Sequence, residues 1–203
     1  MPTSTSIHPY TFSLLSALLA LSTSACADSI APNGGEETGG PESEHVHSEA
    51  HESGGTFTRV DASDDAEWIY FDIDDAREVG ADDPAWDMGF RRFEIKLNGG
   101  FSGDGRVEAA WVDGVDLLGA KVPEPHAFDT DHADEDADGV PDYRFVDWYD
   151  YDVETHTLSP APRVWFVRSG AGETYALVML DYYDAAGGSG HPSFAWVARE
   201  DAT

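Results

Sequence analysis

The chain predicts an all-β protein, mostly antiparallel sheet with little helix, and three observations carry that expectation. Helical periodicity is scarce after Thr56. Aromatic and β-branched runs recur instead, bounded by clusters of Gly, Pro and Asp. The hydrophobic share of 41%, with six Trp, eight Tyr and ten Phe, is enough to build a core in spite of a formal charge of −29. The 203 residues allow one domain plus a tail.

Taken in order, residues 1–25 read as a signal peptide. Phe12 to Leu21 is a short apolar run, followed by the small residues Ser22 to Ala25 and then Cys26, the only cysteine. Cys26 stands where a lipoprotein is acylated, and several chains there would anchor the protein to a membrane. Thr23 stands where such a motif usually has Leu, Val or Ile, and Met1 to Tyr10 carry no Lys or Arg. Ordinary cleavage around Ala25-Cys26-Ala27 without lipid is the competing reading. Residues 26–55 are rich in Gly, Pro, Ser and Glu and read as a disordered acidic linker. Its cluster His45, His47 and His51 has metal-ligand chemistry. A flexible segment pays ordering entropy to use it, so a solvated polar tail is preferred.

The β domain is expected over residues 56–203. Candidate strands are Thr56–Val60, Trp68–Asp72, Met88–Leu97, Arg106–Val112, Arg163–Arg168, Tyr175–Tyr183 and Phe194–Ala198. Trp165, Val167 and the run Ala176 to Leu180 read as the most deeply buried. Gly187-Gly188-Ser189-Gly190 reads as a turn or a place of close backbone approach. No segment after the first 27 residues is long and apolar enough to span a bilayer as a helix.

Charge and motifs bound the function. With 40 acidic and 11 basic side chains, neither nucleic acid nor an anionic membrane surface is an expected partner. Cations, basic partners or plain solubility suit that balance. There is no GxSxG, HExxH or spare thiol, so an enzyme is not expected. Asp134, Asp136, Asp138 and Asp142, with Gly139 between, have the spacing of a calcium loop. Phe145 stands where an EF-hand has its closing Glu, so a shorter DxDxDG-type loop that Ca2+ would order is expected.

Two blocks carry a family resemblance: Trp86 to Gly100 (WDMGFRRFEIKLNGG), and the stretch from Thr155-His156-Thr157-Leu158-Ser159-Pro160 to Asp181-Tyr182-Tyr183-Asp184 and His191. In order and spacing they resemble the HmuY-like haem-binding lipoproteins of Gram-negative bacteria, from about Val60 onward. The resemblance implies a mostly-β fold and capture of haem for delivery to an outer-membrane transporter. It also implies a pair of axial ligands from two late loops, His in some members and Met in others. His156 and His191 take those places here, at strand ends with aromatic residues nearby. His126 and His132 are reserve candidates, while Met88 and Met179 read as core. Arg163, Arg168 and Lys121 are the expected partners of the propionates. The resemblance implies an outer-membrane lipoprotein on the periplasmic or cell-surface face, touching the membrane through its lipid alone. The alternative is a calcium-stabilised, lipid-tethered β domain with a structural or protein-binding role.

Overall fold

The computed structural model describes residues 43–51 and 54–200. The expected signal peptide, Cys26 and the linker up to residue 42 lie outside the described residues. Twelve strands form three sheets, every pairing antiparallel, and a single 3-10 turn at Pro125–Ala127 is the only helical element among the described residues.

The larger sheet has the order β1 (Val46–Ala50), β2 (Thr56–Val60), β12 (Ser189–Arg199), β11 (Thr174–Tyr183), β10 (Arg163–Arg168) and β7 (Glu108–Asp113). The smaller sheet runs β4 (Arg77–Val79), β3 (Ile69–Asp72), β5 (Met88–Arg91) and β6 (Glu94–Leu97). A separate hairpin joins β8 (Tyr149–Asp152) to β9 (Thr157–Pro160).

The core lies where the two large sheets meet. Phe90 stacks on Phe194 at 5.8 Å, and Phe71 meets Phe194 and Trp196 edge-on at 5.8 and 6.5 Å. Phe145 stacks on Trp165 at 4.1 Å and extends the same core. β10 is buried on both faces: Trp165 and Val167 enter this core, whereas Val164 and Phe166 join Ala110, Phe128 and Ala176 in a second cluster.

Three expectations are corrected. The linker ends earlier than Gly55, because Val46–Ala50 pairs with β2 as an edge strand, Val46 opposite Val60. His45 is fixed as well, its Nδ1 3.0 Å from the Glu78 carboxylate. The polar composition that suggested a tail is the composition of an edge strand with one face solvated. The expected strand Met88–Leu97 is a hairpin, with Arg91 opposite Glu94 and Arg92-Phe93 at the turn. Arg92 takes φ +53, so no glycine marked the turn. The turn shifts the alternation: Met88 and Phe90 point inward on one arm, Ile95 and Leu97 on the other. Leu180 is exposed, at an irregularity in the β11–β12 pairing after Met179.

Carboxylates close the ends of the sheets, Asp87 and Asp131 from buried positions and Asp74 from an exposed one. Asp87 accepts the N–H of Ile73 at 3.0 Å and of Gly170 at 2.8 Å, joining the β3–β4 turn to the β10–β11 turn. Asp74 accepts the hydroxyls of Ser169 and Tyr175 at 3.0 and 2.8 Å across the same junction. Asp131 accepts the N–H groups of Leu97 and Arg144, each at 2.8 Å.

Asp87 is 1% exposed. Burial pushes its carboxyl up to about 6, repulsion from Asp74 and Asp72 adds to this, and the two backbone N–H groups oppose it. A folded value above the unfolded one means that the native state holds the proton more tightly. Stability therefore rises as pH falls from 7 towards 5. Urea unfolding should show a gain of roughly 1–2 kcal/mol over that interval. Asp87→Asn should flatten the slope; an Asn variant with the wild-type slope would place the proton elsewhere.

Candidate functional site

The two expected ligand histidines stand on neighbouring hairpins. The β8–β9 turn is built by Asp152, whose Oδ1 accepts the N–H groups of Glu154 and Thr155 at 2.8 and 3.2 Å. His156 closes the turn at φ +55, a region in which His is more common than most side chains. Its Nδ1 lies 2.7 Å from the Tyr151 hydroxyl, which orients the ring. Among the described residues its Nε2 has no polar partner. Tyr151 and Val153 beside it are exposed apolar surface.

The β11–β12 turn is built by Asp184, which accepts the N–H groups of Ala186 and Gly188 at 2.9 and 2.6 Å. Those N–H groups hold its carboxyl below the usual range. His191 follows on β12 and is engaged at both ring nitrogens, Nδ1 3.2 Å from the Gly188 carbonyl and Nε2 3.3 Å from Asp61. The Ser63 hydroxyl, 2.6 Å from Asp61, is the main cause that keeps this carboxyl low, and His191 contributes. Tyr183 ties the hairpins together: its hydroxyl accepts the N–H of Leu158 at 3.0 Å. No direct contact joins His156 to His191.

The cation beside this region is one the sequence did not single out. Arg92 donates from Nη1 to the carbonyls of Ser63 and Ser189 at 2.9 and 3.2 Å, and from Nη2 to the Ser189 hydroxyl at 2.7 Å. Gly190 sits under this clasp at φ +92, where a Cβ would come within 2.8 Å of the Ser63 backbone. The close approach expected of the glycine run is therefore real. Arg163 and Arg168, expected near the propionates, are occupied elsewhere. Arg163 pairs with Asp113 at 3.2 Å, and Arg168 pairs with Glu108 while covering the Phe128 ring. Lys121 is exposed in a loop. Of the reserve histidines, His126 lies in the exposed 3-10 turn, and His132 is 3.0 Å from Asp129. Met88 and Met179 are core residues as expected.

In the acidic loop, the carboxylates of Asp134, Asp136 and Asp138 come within 4.8 Å of one another. They accept backbone N–H groups of residues 138–140. Asp142 is not among these converging carboxylates and accepts the N–H of Glu135 at 2.9 Å.

A groove of about 790 Å³ lies elsewhere, along β1 and β2. His47, Phe57, Arg59 and Arg77 line it, so two of the eleven basic side chains meet there. Reading His45 to His51 as linker concealed it; the alternation of Val46, Ser48 and Ala50 was the available signal.

The comparisons follow the same fold. Residues 64–154 match the family described as HmuY protein. The match ends two residues before His156. A candidate lipoprotein of Bacteroides fragilis superposes with a TM-score of 0.57 at 20% identity, over 75% of this chain and 95% of its own. The apo HmuY analogue of Tannerella forsythia gives 0.57 at 12% identity, over 79% and 100%. A candidate HmuY-like haem-binding protein of Bacteroides vulgatus gives 0.50 at 16%, over 70% and 90%. No curated protein sequence matches the chain.

Proposed function

We propose that this chain, HmuY-like over residues 64–154, is a haem-binding carrier rather than an enzyme. It holds haem between the β8–β9 and β11–β12 hairpins and passes it to an outer-membrane transporter. Lipid on Cys26 tethers it to the outer membrane. The observation that carries the reading is the Tyr183–Leu158 hydrogen bond, which joins the hairpin that bears His156 to the hairpin that bears His191. The donor set suits iron. His156 offers Nε2, with Tyr151 orienting the ring from Nδ1. His191 offers Nε2 once Asp61 is displaced, with the Gly188 carbonyl holding Nδ1. Arg92 supplies positive charge near a propionate.

Hemin titration of the wild type, His156→Ala, His191→Ala and the double variant tests the assignment. Two imidazoles give a low-spin six-coordinate spectrum. Each single variant should bind at least about tenfold more weakly, the loss of roughly 1.4 kcal/mol or more. Acidification should weaken wild-type binding, since imidazolium has no free lone pair. Identical spectra and affinities in all four proteins would remove this pair from consideration.

The second reading is a calcium-stabilised, lipid-tethered scaffold, and the converging carboxylates of Asp134, Asp136 and Asp138 favour it. Three carboxylates so close repel one another, and a divalent cation relieves the repulsion. Calcium should raise the melting temperature and protect the loop from protease, with Asp136→Ala and Asp138→Ala behaving like chelation. Superimposable melting curves with calcium and with chelator would exclude this role.

A further inference from the structure

We infer that the cleft between the β5–β6 turn and the acidic loop docks a basic polypeptide segment of another protein, one apolar side chain entering the cleft. The cleft holds about 210 Å³. Its floor is Ile95 and Phe145, both fully buried, and its walls include Phe93, Val140, Val146 and Tyr149. Phe93, Val140 and Val146 are 45%, 43% and 64% exposed. Three large apolar side chains left in water around an apolar floor are the signature of a contact surface. The volume falls below the ~300–1,000 Å³ of sites for drug-sized ligands, which suits one side chain rather than a whole cofactor.

Charge selects the occupant. Glu94, Asp136, Asp138 and Asp142 rim the cleft, and no Lys or Arg lines it. Glu94 is paired with Arg91 at 2.8 Å. Among the described residues, the other three have no cationic side-chain partner. The first 58 residues contain no Lys or Arg, so the chain's own N-terminal segment has no cation to offer. A second copy would bring another −29 of the same sign. The complement is a foreign segment in which Lys or Arg flanks an aromatic or aliphatic residue. The apolar residue fills the cleft and the flanking cations meet Asp136, Asp138 and Asp142. Such charge pairing speeds encounter and loses strength with salt.

The test uses the full chain, labelled with 15N, and three synthetic peptides: Lys-Lys-Phe-Lys-Lys, Lys-Lys-Ala-Lys-Lys and Glu-Glu-Phe-Glu-Glu. The first should shift the backbone amides of Phe93, Val140 and Val146 saturably. It should bind at least about fivefold more tightly than the alanine peptide, the increment of one buried ring. Val146→Ser should reduce that difference, and the paired change Asp136→Asn with Asp138→Asn should weaken binding and flatten its salt dependence. Equal binding of the phenylalanine and alanine peptides, shifts confined to other surfaces, or no shifts at millimolar peptide would each overturn the inference.

Discussion

The fold depends on carboxylates doing inside the protein what backbone carbonyls usually do. Asp87 accepts two N–H groups from turns that belong to different sheets, and Asp74 binds two hydroxyls at the same junction. Without Asp87 the Ile73 N–H would be buried without a partner, at a cost of about 1–3 kcal/mol. The arrangement carries its own penalty, because Asp72, Asp74 and Asp87 converge and burial raises the Asp87 carboxyl. The chain accepts a strained electrostatic junction in return for a fixed relation between its two main sheets. Asp131 does the same for the end of β6 and the segment that follows the acidic loop.

With the sheets locked, the hairpins at their margins are free to carry function. β11 and β12 are the longest strands, and their turn rests against Asp61 and Arg92. The β8–β9 hairpin has few partners, and its hydrogen bond to Tyr183 is what aligns it with that turn. Its tip is exposed and held in shape by its own short-range hydrogen bonds, from Asp152, Tyr151 and the Thr155–Thr157 pair, which suits a segment that adjusts to a ligand. The two histidines thus differ in their contacts: His156 is held at Nδ1 by Tyr151, whereas His191 Nε2 faces the Asp61 carboxylate, which the proposed iron bond would have to displace.

Much of this was legible in the residues. Thr56–Val60 and Arg163–Arg168 were readable to the residue, because β-branched and aromatic runs between polar turns have few other uses. The Arg92-Phe93 turn was not, since its residues lack turn chemistry and only the shift in alternation betrays it. β1 was hidden by its polarity, for an edge strand with a solvated face looks like linker. β8 and β9 were missed although Tyr149 to Asp152 alternates, since the acidic residues between the tyrosines masked a strand. For the site, loop histidines were visible and their neighbours were not. Asp61 and Arg92 lie far from His191 in sequence, and single-chain patterns do not report such pairs.

The central claim, that iron sits between the two hairpins, can be tested by the paramagnetism of the metal. In amide spectra of the full chain with one equivalent of hemin, iron(III) broadens the residues around it. The account predicts broadening at residues 153–158 and 186–192, with the β1–β2 groove unaffected. Broadening centred on His47 and Arg59, or an unchanged spectrum, would contradict it.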